Sequence, residues 1–375
     1  MAKPRFVGPD CCTGKKSKLD MTRTPHIIKP DGSDMRNPFL SRRSALVGGV
    51  LATSPLQFPL LAALATNSVE VRSIALSDGT SMPAIGFGTC CRASAKGPPL
   101  IKSTLEYIAQ GGRLIDTAQM YGNEADLGKA LKTSAVPRDS LWITDKINTG
   151  PWYQGGENPS PVTTRAATRA SVEDSLHALD TDFIDLMHIH GTWILHPSQQ
   201  IDVWRGLIDA KNEGLVRRIG VSNFERQEIE ALEAATGVRP CVNQLEYHPW
   251  VPDKTTKLVR WCQSRQIAVT AYGSLGGSRH KAGEVEPSQS VNVARVAEAH
   301  GCSNAQVLLR WALSQGVAVI PGATSAEHIR DNLRVPAFDL TAADRRLLAA
   351  AKPTAFKRWR NLSEEVQACQ QGACV

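Results

Sequence analysis

Eight short apolar segments alternate with longer amphipathic segments along most of the chain, and this alternation constrains the fold more than any other feature. Two of the short segments, 183–187 and 317–320, are nearly all apolar, which is typical of parallel strands that are covered on both faces. The eight predicted strands are residues 84–89, 113–118, 141–147, 183–190, 218–222, 242–247, 268–273 and 317–320. Such a pattern predicts an α/β protein that is built from repeated βα units.

The segments between the predicted strands carry apolar residues at helical spacing. Two such faces are formed by Val172, Leu176 and Leu179, and by Ile201, Trp204 and Ile208. Eight βα units within roughly 260 residues match the size of a (β/α)8 TIM barrel. A doubly wound sheet is the alternative, but residues 86–89 (Gly-Phe-Gly-Thr) hold only two glycines of a G-x-G-x-x-G motif, and no helix follows at the right distance. We therefore predict a TIM barrel without a second domain.

A β-hairpin precedes the first barrel strand in this prediction. Residues 71–76 and the segment from Met82 onward have strand character, and Asp78-Gly79 between them is a common hairpin turn. The hairpin and the barrel together make up the predicted domain at 66–375.

The first 65 residues differ from this domain in composition. Residues 1–45 contain ten Lys or Arg against four Asp, so only about +1 of the formal charge of +7 belongs to the other residues. We therefore predict a basic, disordered leader or transit segment at 1–40, and no nucleic-acid-binding surface on the body. At 41–65, the pair Arg42-Arg43, an uncharged run and the final Ala63-Leu64-Ala65 resemble a twin-arginine signal with its cleavage site.

Other interpretations of this leader stay open. The uncharged run has about the ~20 residues of a membrane span, although Pro55 and Pro59 weaken that interpretation. A start of translation at Met21 or Met35 also fits, as does a hydrophobic extension that is never processed. A twin-arginine signal implies an exported or organelle-lumenal protein, and a cytoplasmic protein is the alternative. Membrane contact is expected only through this segment, where it is not cleaved.

Four polar residues fall at the carboxyl ends of predicted strands, where TIM-barrel enzymes place their active sites. Asp116 lies near the end of the second strand, and Tyr121 follows in the adjoining loop. Lys146 and His190 stand at the ends of the third and fourth strands. Each of them alone has a structural explanation, but their coincidence at one barrel mouth predicts a catalytic site.

The stretch 112–131 reads GRLIDTAQMYGNEADLGKAL, and its G-R-x-I-D-T-A-x-x-Y-G-N-E string resembles the signature of the aldo-keto reductase superfamily. The resemblance runs from about residue 71 to 332. It implies NAD(P)H-dependent reduction of aldehydes or ketones in a barrel whose bottom the hairpin covers. It makes Tyr121 the proton donor, Lys146 and Asp116 the pair that tunes this phenol, and His190 the residue that orients the substrate.

The implied roles agree with the chemistry of the side chains. A phenol with its ordinary pKa of ~10 is a weak acid at neutral pH, and a neighbouring ammonium group lowers such a pKa because it favours the phenolate. We therefore expect Lys146, held by Asp116, to acidify Tyr121. A histidine can donate a hydrogen bond to the substrate oxygen. His188 lies deeper on the same strand face as His190 and is left out of the predicted site.

The resemblance also implies a nicotinamide site that is spread over several strand ends. Ser222 and Asn223 resemble the pair that holds the carboxamide, Gln244 is expected to contact the same amide, and Tyr272 to stack on the ring. The predicted cofactor-binding set is Thr89, Asp116, Ser222, Asn223, Gln244, Tyr272, Gly273, Ser274, Leu275, Gly322, Ala323, Thr324, His328, Asp331 and Asn332.

The last part of this set departs from the family pattern. Gly322, Ala323 and His328 stand where many members have Lys-Ser and a later Arg, the residues that hold the 2′-phosphate of NADP. Each missing charged contact is worth roughly 1.5–3 kcal/mol. The available replacements are Thr324, Ser325, a protonated His328, Arg330 and the amides of the following helix N-terminus. NADPH is the expected cofactor, and NADH is the alternative.

The substrate pocket also differs from the family pattern. Cys90 and Gly191 occupy two positions where a tryptophan usually lines the pocket. Trp152 and Trp193 are predicted to line it instead, beside His190, although both tryptophans also suit the role of loop anchors. The expected partner is a small-molecule carbonyl compound, an aldehyde rather than a ketone.

The cysteine pattern and the remaining alternatives complete the prediction. The nine cysteines show no metal-ligand spacing, and their odd number argues against a complete disulfide framework. We therefore expect mostly free thiols, no metal and a monomer. The alternative function is a cofactor-binding regulatory subunit with little turnover, resembling the channel β-subunits of the superfamily. The presence of all four catalytic residues argues against a lost active site.

Overall fold

The computed structural model describes residues 73–91, 94–150, 160–276 and 287–351. The predicted leader at 1–40 and the predicted signal at 41–65 lie outside the described residues, and so does Trp152. These predictions stay predictions. Within the described ranges, no helix combines the length and the apolarity that a membrane span requires.

Strands and helices alternate through the described part of the chain. The strands are β1 (Ser73–Ala75), β2 (Ser81–Pro83), β3 (Gly86–Gly88), β4 (Leu114–Asp116), β5 (Trp142–Ile147), β6 (Leu186–Ile189), β7 (Ile219–Ser222), β8 (Val242–Glu246), β9 (Ala268–Tyr272) and β10 (Ala318–Val319). The helices are α1 (Gly97–Ala109), α2 (Glu124–Thr133), α3 (Arg165–Leu179), α4 (Pro197–Asn212), α5 (Arg226–Thr236), α6 (Asp253–Ser264), α7 (Val291–Ala299), α8 (Asn304–Leu313), α9 (Ala326–Leu333) and α10 (Ala342–Ala350).

The eight strands β3–β10 form one sheet in which each strand is parallel to its neighbour in sequence. The first and last strands also meet, through a parallel bridge between Ile85 and Val319. The Val319 amide donates to the Ala84 carbonyl at 2.8 Å. This closure confirms the predicted TIM barrel and excludes the doubly wound sheet, whose edge strands stay apart.

The predicted N-terminal hairpin is present. Strands β1 and β2 pair antiparallel, and the turn is closed by the Leu76 amide, which donates to the Thr80 carbonyl at 2.9 Å. Gly79 has φ +80°, a conformation that favours glycine. Leu76 and Met82 of the hairpin pack against residues at the amino ends of the barrel strands, among them Leu114, Trp142, Leu186, Val242, Ala268 and Ala318. The hairpin therefore covers the bottom of the barrel.

The helices cover the outside of the barrel with their apolar faces. Val172, Leu176 and Leu179 of α3 are all buried, as their spacing predicts, and Trp204 of α4 is fully buried. Ile201 and Ile208 are partly buried against the same core. The periodicity of 3.6 residues thus identified the buried faces correctly.

The structure departs from the predicted strand 183–190 at its start. Strand β6 begins only at Leu186, although the Ile184 and Asp185 amides still donate to the Leu215 and Ile143 carbonyls of the neighbouring segments. The Asp185 carboxylate accepts the Ile143 amide at 3.0 Å and pairs with Arg138 at 2.8 Å and Arg217 at 3.2 Å. The Asp185 side chain thus adds two ion pairs to the backbone pairing of this segment.

Candidate active site

The structure brings Asp116, Tyr121, Lys146 and His190 together at the carboxyl end of the barrel. Asp116 is the last residue of β4, and Tyr121 ends a short 3-10 turn in the next loop. Lys146 Nζ lies 5.2 Å from the Tyr121 ring centroid. The rings of Tyr121 and His190 meet edge to face, with centroids 5.6 Å apart. The four predicted catalytic residues therefore form one cluster.

A buried ion pair forms the centre of this cluster. Lys146 Nζ lies 2.7 Å from Asp116 Oδ2, and the two side chains are only 1% and 3% exposed. The ammonium also donates to the Thr117 carbonyl at 2.6 Å, and Gln244 Nε2 donates to Asp116 Oδ1 at 2.7 Å. Each charge therefore has a charged partner and a second hydrogen bond, which is the condition for a stable buried pair.

The loop that carries Tyr121 is held by side-chain amides. Asn123 Nδ2 donates to the carbonyls of Thr89 and Ala95, at 3.1 and 3.0 Å, and its Oδ1 accepts the Thr117 hydroxyl at 2.8 Å. Thr89 in turn donates through its hydroxyl and its amide to the Asp116 carbonyl. Asn123 was not among the predicted site residues, although it stands within the Y-G-N-E part of the signature. Its role is to position the loop.

Tyr121 corrects the expectation that Lys146 acidifies it. Burial raises the pKa of Tyr121 well above its usual range, and the nearby Asp116 and Asp145 side chains raise it further. The charge of Lys146 is already paired with Asp116, so it does not outweigh these effects. The phenol therefore keeps its proton at neutral pH, as a proton donor must.

His190 is neutral in this environment. Burial lowers the pKa of His190 well below its usual range, and the nearby Lys146 and His188 lower it further. A neutral imidazole carries one N–H donor and one acceptor nitrogen. His190 therefore provides a hydrogen-bond donor to a carbonyl oxygen without competing with Tyr121 as an acid.

His188 belongs to the barrel interior. It pairs in register with Lys146 on the neighbouring strand and is fully buried. Burial and the charge of Lys146 lower the pKa of His188 to about 3. A Cβ on Gly220 would lie 2.8 Å from His188 Cδ2, so the missing side chain of that glycine makes room for the imidazole.

Four predicted cofactor residues form a continuous hydrogen-bonded chain that ends at the ion pair. The Tyr272 hydroxyl donates to Asn223 Oδ1 at 2.8 Å. Asn223 Nδ2 donates to the Ser222 hydroxyl and to the His190 carbonyl, both at 3.0 Å. The Ser222 hydroxyl donates to the Gln244 carbonyl at 3.0 Å. Because the Gln244 side chain reaches Asp116, this chain connects the predicted nicotinamide site to the catalytic cluster.

Five further predicted cofactor residues follow the ends of β9 and β10, which are neighbouring strands. Gly273 has φ +62°, and the Ser274 hydroxyl after it donates to the Ala271 carbonyl at 2.9 Å. Leu275 is partly buried and packs against the core. Beyond β10, Gly322 is partly buried and Ala323 is buried.

Helix α9 begins directly after these residues and carries the rest of the predicted set. The Ser325 hydroxyl caps the helix by accepting the His328 amide at 3.1 Å. Thr324 and His328 are exposed, Asp331 is partly buried, and Asn332 is buried. The exposed residues at this helix N-terminus are available to an anionic group, which helix N-termini favour.

Trp193 forms one wall of the catalytic cluster. Its ring centroid lies 5.0 Å from that of His190, and it shares a small apolar cluster with Tyr121 and with the partly buried Cys90. A Cβ on Gly191 would lie 2.6 Å from Trp193 Cε2, so the glycine is what allows the indole to pack here. The predicted substrate contact Trp193 thus lies beside the predicted orienting residue.

The cysteines of the described part agree with the expectation of mostly free thiols. Three of these five cysteines are free, and Cys90 and Cys91 are joined in a disulfide. Cys241, Cys262 and Cys302 are free, as expected.

The sequence and the fold both match known proteins. The model of the Aldo/keto reductase family matches residues 85–352. An aldo-keto reductase of Mycolicibacterium smegmatis is 35% identical over 278 residues, which are 73% of this chain and 89% of that protein. The methylglyoxal reductase DkgB of Escherichia coli O157:H7 is 35% identical over 274 residues, which are 72% of this chain and 93% of the relative.

Two solved structures show the same likeness. An aldo/keto reductase from Brucella melitensis is 29% identical and superposes with a TM-score of 0.64, covering 75% of this chain and 100% of that one. A Bombyx mori aldo-keto reductase in complex with NADP is 28% identical with a TM-score of 0.65, covering 75% and 93% of the two chains. The family match spans well over half of the residues and includes the barrel and the catalytic cluster. The chain belongs to the aldo/keto reductase family of oxidoreductases.

Proposed function

We propose that this chain uses NADPH to reduce aldehydes to alcohols. The observation that carries the proposal is the buried Asp116–Lys146 pair directly beside a protonated Tyr121 and a neutral His190. The methylglyoxal reductase among the relatives is named for a small compound with an aldehyde and a ketone group, which supports a small carbonyl compound as the substrate class. A NADP complex of a similar fold supports the cofactor.

The residues of the predicted nicotinamide site fit a carboxamide and an aromatic ring. A carboxamide needs both hydrogen-bond donors and acceptors, and the side chains of Ser222, Asn223 and Gln244 offer both. Tyr272 is partly exposed, and its hydroxyl is fixed by Asn223, so its ring has a defined orientation. When bound, the reduced nicotinamide supplies the hydride that the carbonyl carbon receives.

The remaining chemistry belongs to the catalytic cluster. His190 donates a hydrogen bond to the carbonyl oxygen and orients it. Tyr121 transfers its phenolic proton to the same oxygen as negative charge develops there. Lys146 then stabilises the phenolate that remains, since its ammonium lies close to the phenol ring. Asp116 holds Lys146 in position through the 2.7 Å ion pair. Each step uses a group that is already in place.

The direct test compares two substrates that differ by one methyl group. Full-length protein with NADPH is expected to reduce 4-nitrobenzaldehyde faster than 4-nitroacetophenone, because the ketone is larger and less electrophilic. Initial rates are followed by the loss of NADPH absorbance. A faster rate with the ketone contradicts the substrate class, and no turnover with either compound contradicts the proposed reaction.

The cofactor preference is expected to depend on His328. His328→Arg places a guanidinium on the exposed first turn of α9, where it can reach a 2′-phosphate. Since a charge-assisted hydrogen bond contributes roughly 1.5–3 kcal/mol, we expect the KM for NADPH to fall at least about tenfold. The KM for NADH, which lacks this phosphate, serves as the internal control. An equal change in the KM values for NADPH and NADH shows that residue 328 does not contact the 2′-phosphate.

Trp193 is expected to determine aldehyde binding. Trp193→Ala removes the indole that packs on His190, and such aromatic contacts contribute roughly 0.5–1.5 kcal/mol beyond their area. We expect the KM for 4-nitrobenzaldehyde to rise about tenfold while the KM for NADPH is unchanged. Trp261→Ala on the outer helix α6 is the matched control and leaves both values unchanged. A similar loss in the two variants rules out a specific role for Trp193.

A further inference from the structure

Two carboxyl groups lie together beside the catalytic cluster, and the mechanism above uses neither of them. Glu124 is the first residue of α2, and Asp145 directly precedes Lys146 on β5. Their side chains are within hydrogen-bonding reach of each other. Asp145 is fully buried, and its Oδ1 accepts the Lys146 amide at 2.8 Å.

The pair lies between the barrel and the helices. Successive side chains of a strand point to opposite faces, so Lys146 points into the barrel and Asp145 points toward the helical layer. That interface is formed mainly by apolar side chains and gives a second negative charge little solvation. Lys146 directs its ammonium to Asp116, so it offsets a charge on Asp145 only in part.

The hydrogen-bonding environment of the two carboxyl groups bears on their protonation. Asp145 Oδ2 and Glu124 Oε1 are buried, and neither receives a hydrogen bond from another described donor. Two ionised carboxylates in contact repel each other and do not both remain charged at such a site, whereas a carboxylic acid donates to a carboxylate. The burial of these two oxygens, with no other described donor beside them, therefore favours a proton between the two groups.

We propose that Glu124 and Asp145 share one proton at neutral pH, and that this one-proton pair positions Lys146 and limits the negative charge that acts on Tyr121. The shared proton is a property of the folded chain alone. The effect on Tyr121 rests on the proposed carbonyl reduction.

A hydrogen-bonded path connects the pair to the loop of Tyr121. The Ser175 hydroxyl of α3 contacts Glu124, and Gln119 Nε2 donates to that hydroxyl at 2.9 Å. Gln119 belongs to the 3-10 turn that ends at Tyr121, and its Oε1 accepts the Asn148 amide at 2.7 Å. The pair thus connects the strand of Lys146 with the turn of the proton donor, which makes both carboxyls positioning residues.

The electrostatic surroundings agree with a shared proton. Burial raises the pKa of Asp145 well above its usual range, and the adjacent Glu124 raises it further. Burial also raises the pKa of Glu124. The charged or titratable groups that face the pair from all neighbouring elements are Asp174 of α3, Lys146 of β5, His188 of β6, and Tyr121 and Asp116 beyond Lys146.

This assignment predicts how stability depends on pH. An unfolded chain loses the Asp145 proton near pH ~3.9, whereas the folded chain keeps it, so the folded state binds one more proton above that pH. Stability therefore falls as pH rises from about 4 toward the raised pKa. Asp145→Asn copies the protonated carboxyl without titrating, so it removes this loss.

Infrared spectroscopy of the full-length protein tests the shared proton directly. At neutral pD, the wild-type spectrum is expected to contain a protonated carboxyl band that disappears in both Asp145→Asn and Glu124→Gln. Asp174→Asn, which changes an exposed carboxylate on the neighbouring helix, is the matched control and keeps the band. A wild-type spectrum without a band that depends on Asp145 and Glu124 overturns the proposal.

Thermal unfolding gives a second and independent readout. The melting temperature of Asp145→Asn is expected to equal that of the wild type near pH 4 and to exceed it by a few degrees near pH 8. If Asp145→Asn fails to fold, the same comparison is made with Glu124→Gln. A difference that is the same at both pH values overturns the proton assignment.

Kinetics test the effect on Tyr121. The double variant Glu124→Gln/Asp145→Asn removes the remaining charge, so we expect the alkaline limb of the kcat–pH profile to move to lower pH because Tyr121 becomes more acidic. A purely structural role lowers kcat equally at every pH and overturns the coupling to Tyr121. Absence of turnover in the wild type contradicts the proposed function, while the infrared band still decides whether the proton is shared.

Discussion

Tyr121→Phe is expected to lower kcat for 4-nitrobenzaldehyde by about 10²- to 10⁴-fold, because it removes the only phenol in the catalytic cluster of described residues. The ring and its edge-to-face contact with His190 are retained, so the site keeps its shape. The loss belongs to proton transfer alone. Initial rates at saturating NADPH and aldehyde measure it.

A cofactor titration is the control for this variant. The predicted nicotinamide contacts come from Ser222, Asn223, Gln244 and Tyr272, so the Kd for NADPH, measured by quenching of tryptophan fluorescence, is expected to stay unchanged. A Tyr121→Phe rate within a few-fold of the wild-type rate would falsify the assignment of the proton donor. A large rise in Kd shows instead that the variant has disturbed the cofactor site.

Lys146→Met is expected to cost both activity and stability. It leaves the Asp116 carboxylate buried with Gln244 as its remaining side-chain partner, and breaking such a pair costs roughly 3–5 kcal/mol. Urea unfolding is therefore expected to show a much lower midpoint, with turnover nearly lost because the phenolate is no longer stabilised. Far-ultraviolet circular dichroism in buffer checks that the variant is folded before the rates are compared.

The surface offers a matched control for this change. Lys132 pairs with Asp180 at 2.8 Å, the same type of contact, but the side chains are 77% and 59% exposed. Solvent screens such pairs, so Lys132→Met is expected to leave the urea midpoint and the turnover essentially unchanged. Equal midpoints for the two variants contradict the claim that burial gives the Asp116–Lys146 pair its importance.

The sequence alone sufficed for the barrel and for the location of the catalytic residues. Strand length and apolarity are local properties, and the parallel order of βα units brings the carboxyl ends of all strands to one side. Asp116, Lys146 and His190 could therefore be placed at the barrel mouth before their distances were known. The signature string added Tyr121, which lies in a loop and has no periodic pattern of its own.

Properties that depend on three-dimensional contacts were not predictable in this way. The direction of the Tyr121 pKa shift follows from the burial of the phenol and from the nearby Asp116 and Asp145 side chains, which only the fold brings together. The proposed pairing of Glu124 with Asp145 depends on where the fold places the first residue of α2 relative to β5. Likewise, the fit of Trp193 over Gly191 follows from the path of the loop after β6.

The substrate and cofactor residues show the same limit. The sequence motifs predict Ser222, Asn223 and Gln244 as site residues, but their joint hydrogen-bonded chain to Asp116 depends on the neighbouring positions of β7 and β8. The preference between NADPH and NADH is expected to depend on exposed residues at the start of α9, such as His328, which departs from the family pattern.

Transfer of label from cofactor to product tests the central claim most directly. Full-length protein is incubated with 4-nitrobenzaldehyde and NADPH that is deuterated on the transferable face of the dihydronicotinamide ring. The molecular mass of the alcohol product is then measured by mass spectrometry. Carbonyl reduction at the Asp116, Tyr121, Lys146 and His190 cluster predicts an alcohol carrying one deuterium, formed by the wild type and nearly absent with Tyr121→Phe. The account is contradicted if no alcohol forms, or if the alcohol carries no deuterium whichever face of the dihydronicotinamide ring is deuterated. Equal amounts of alcohol from the wild type and Tyr121→Phe also contradict it.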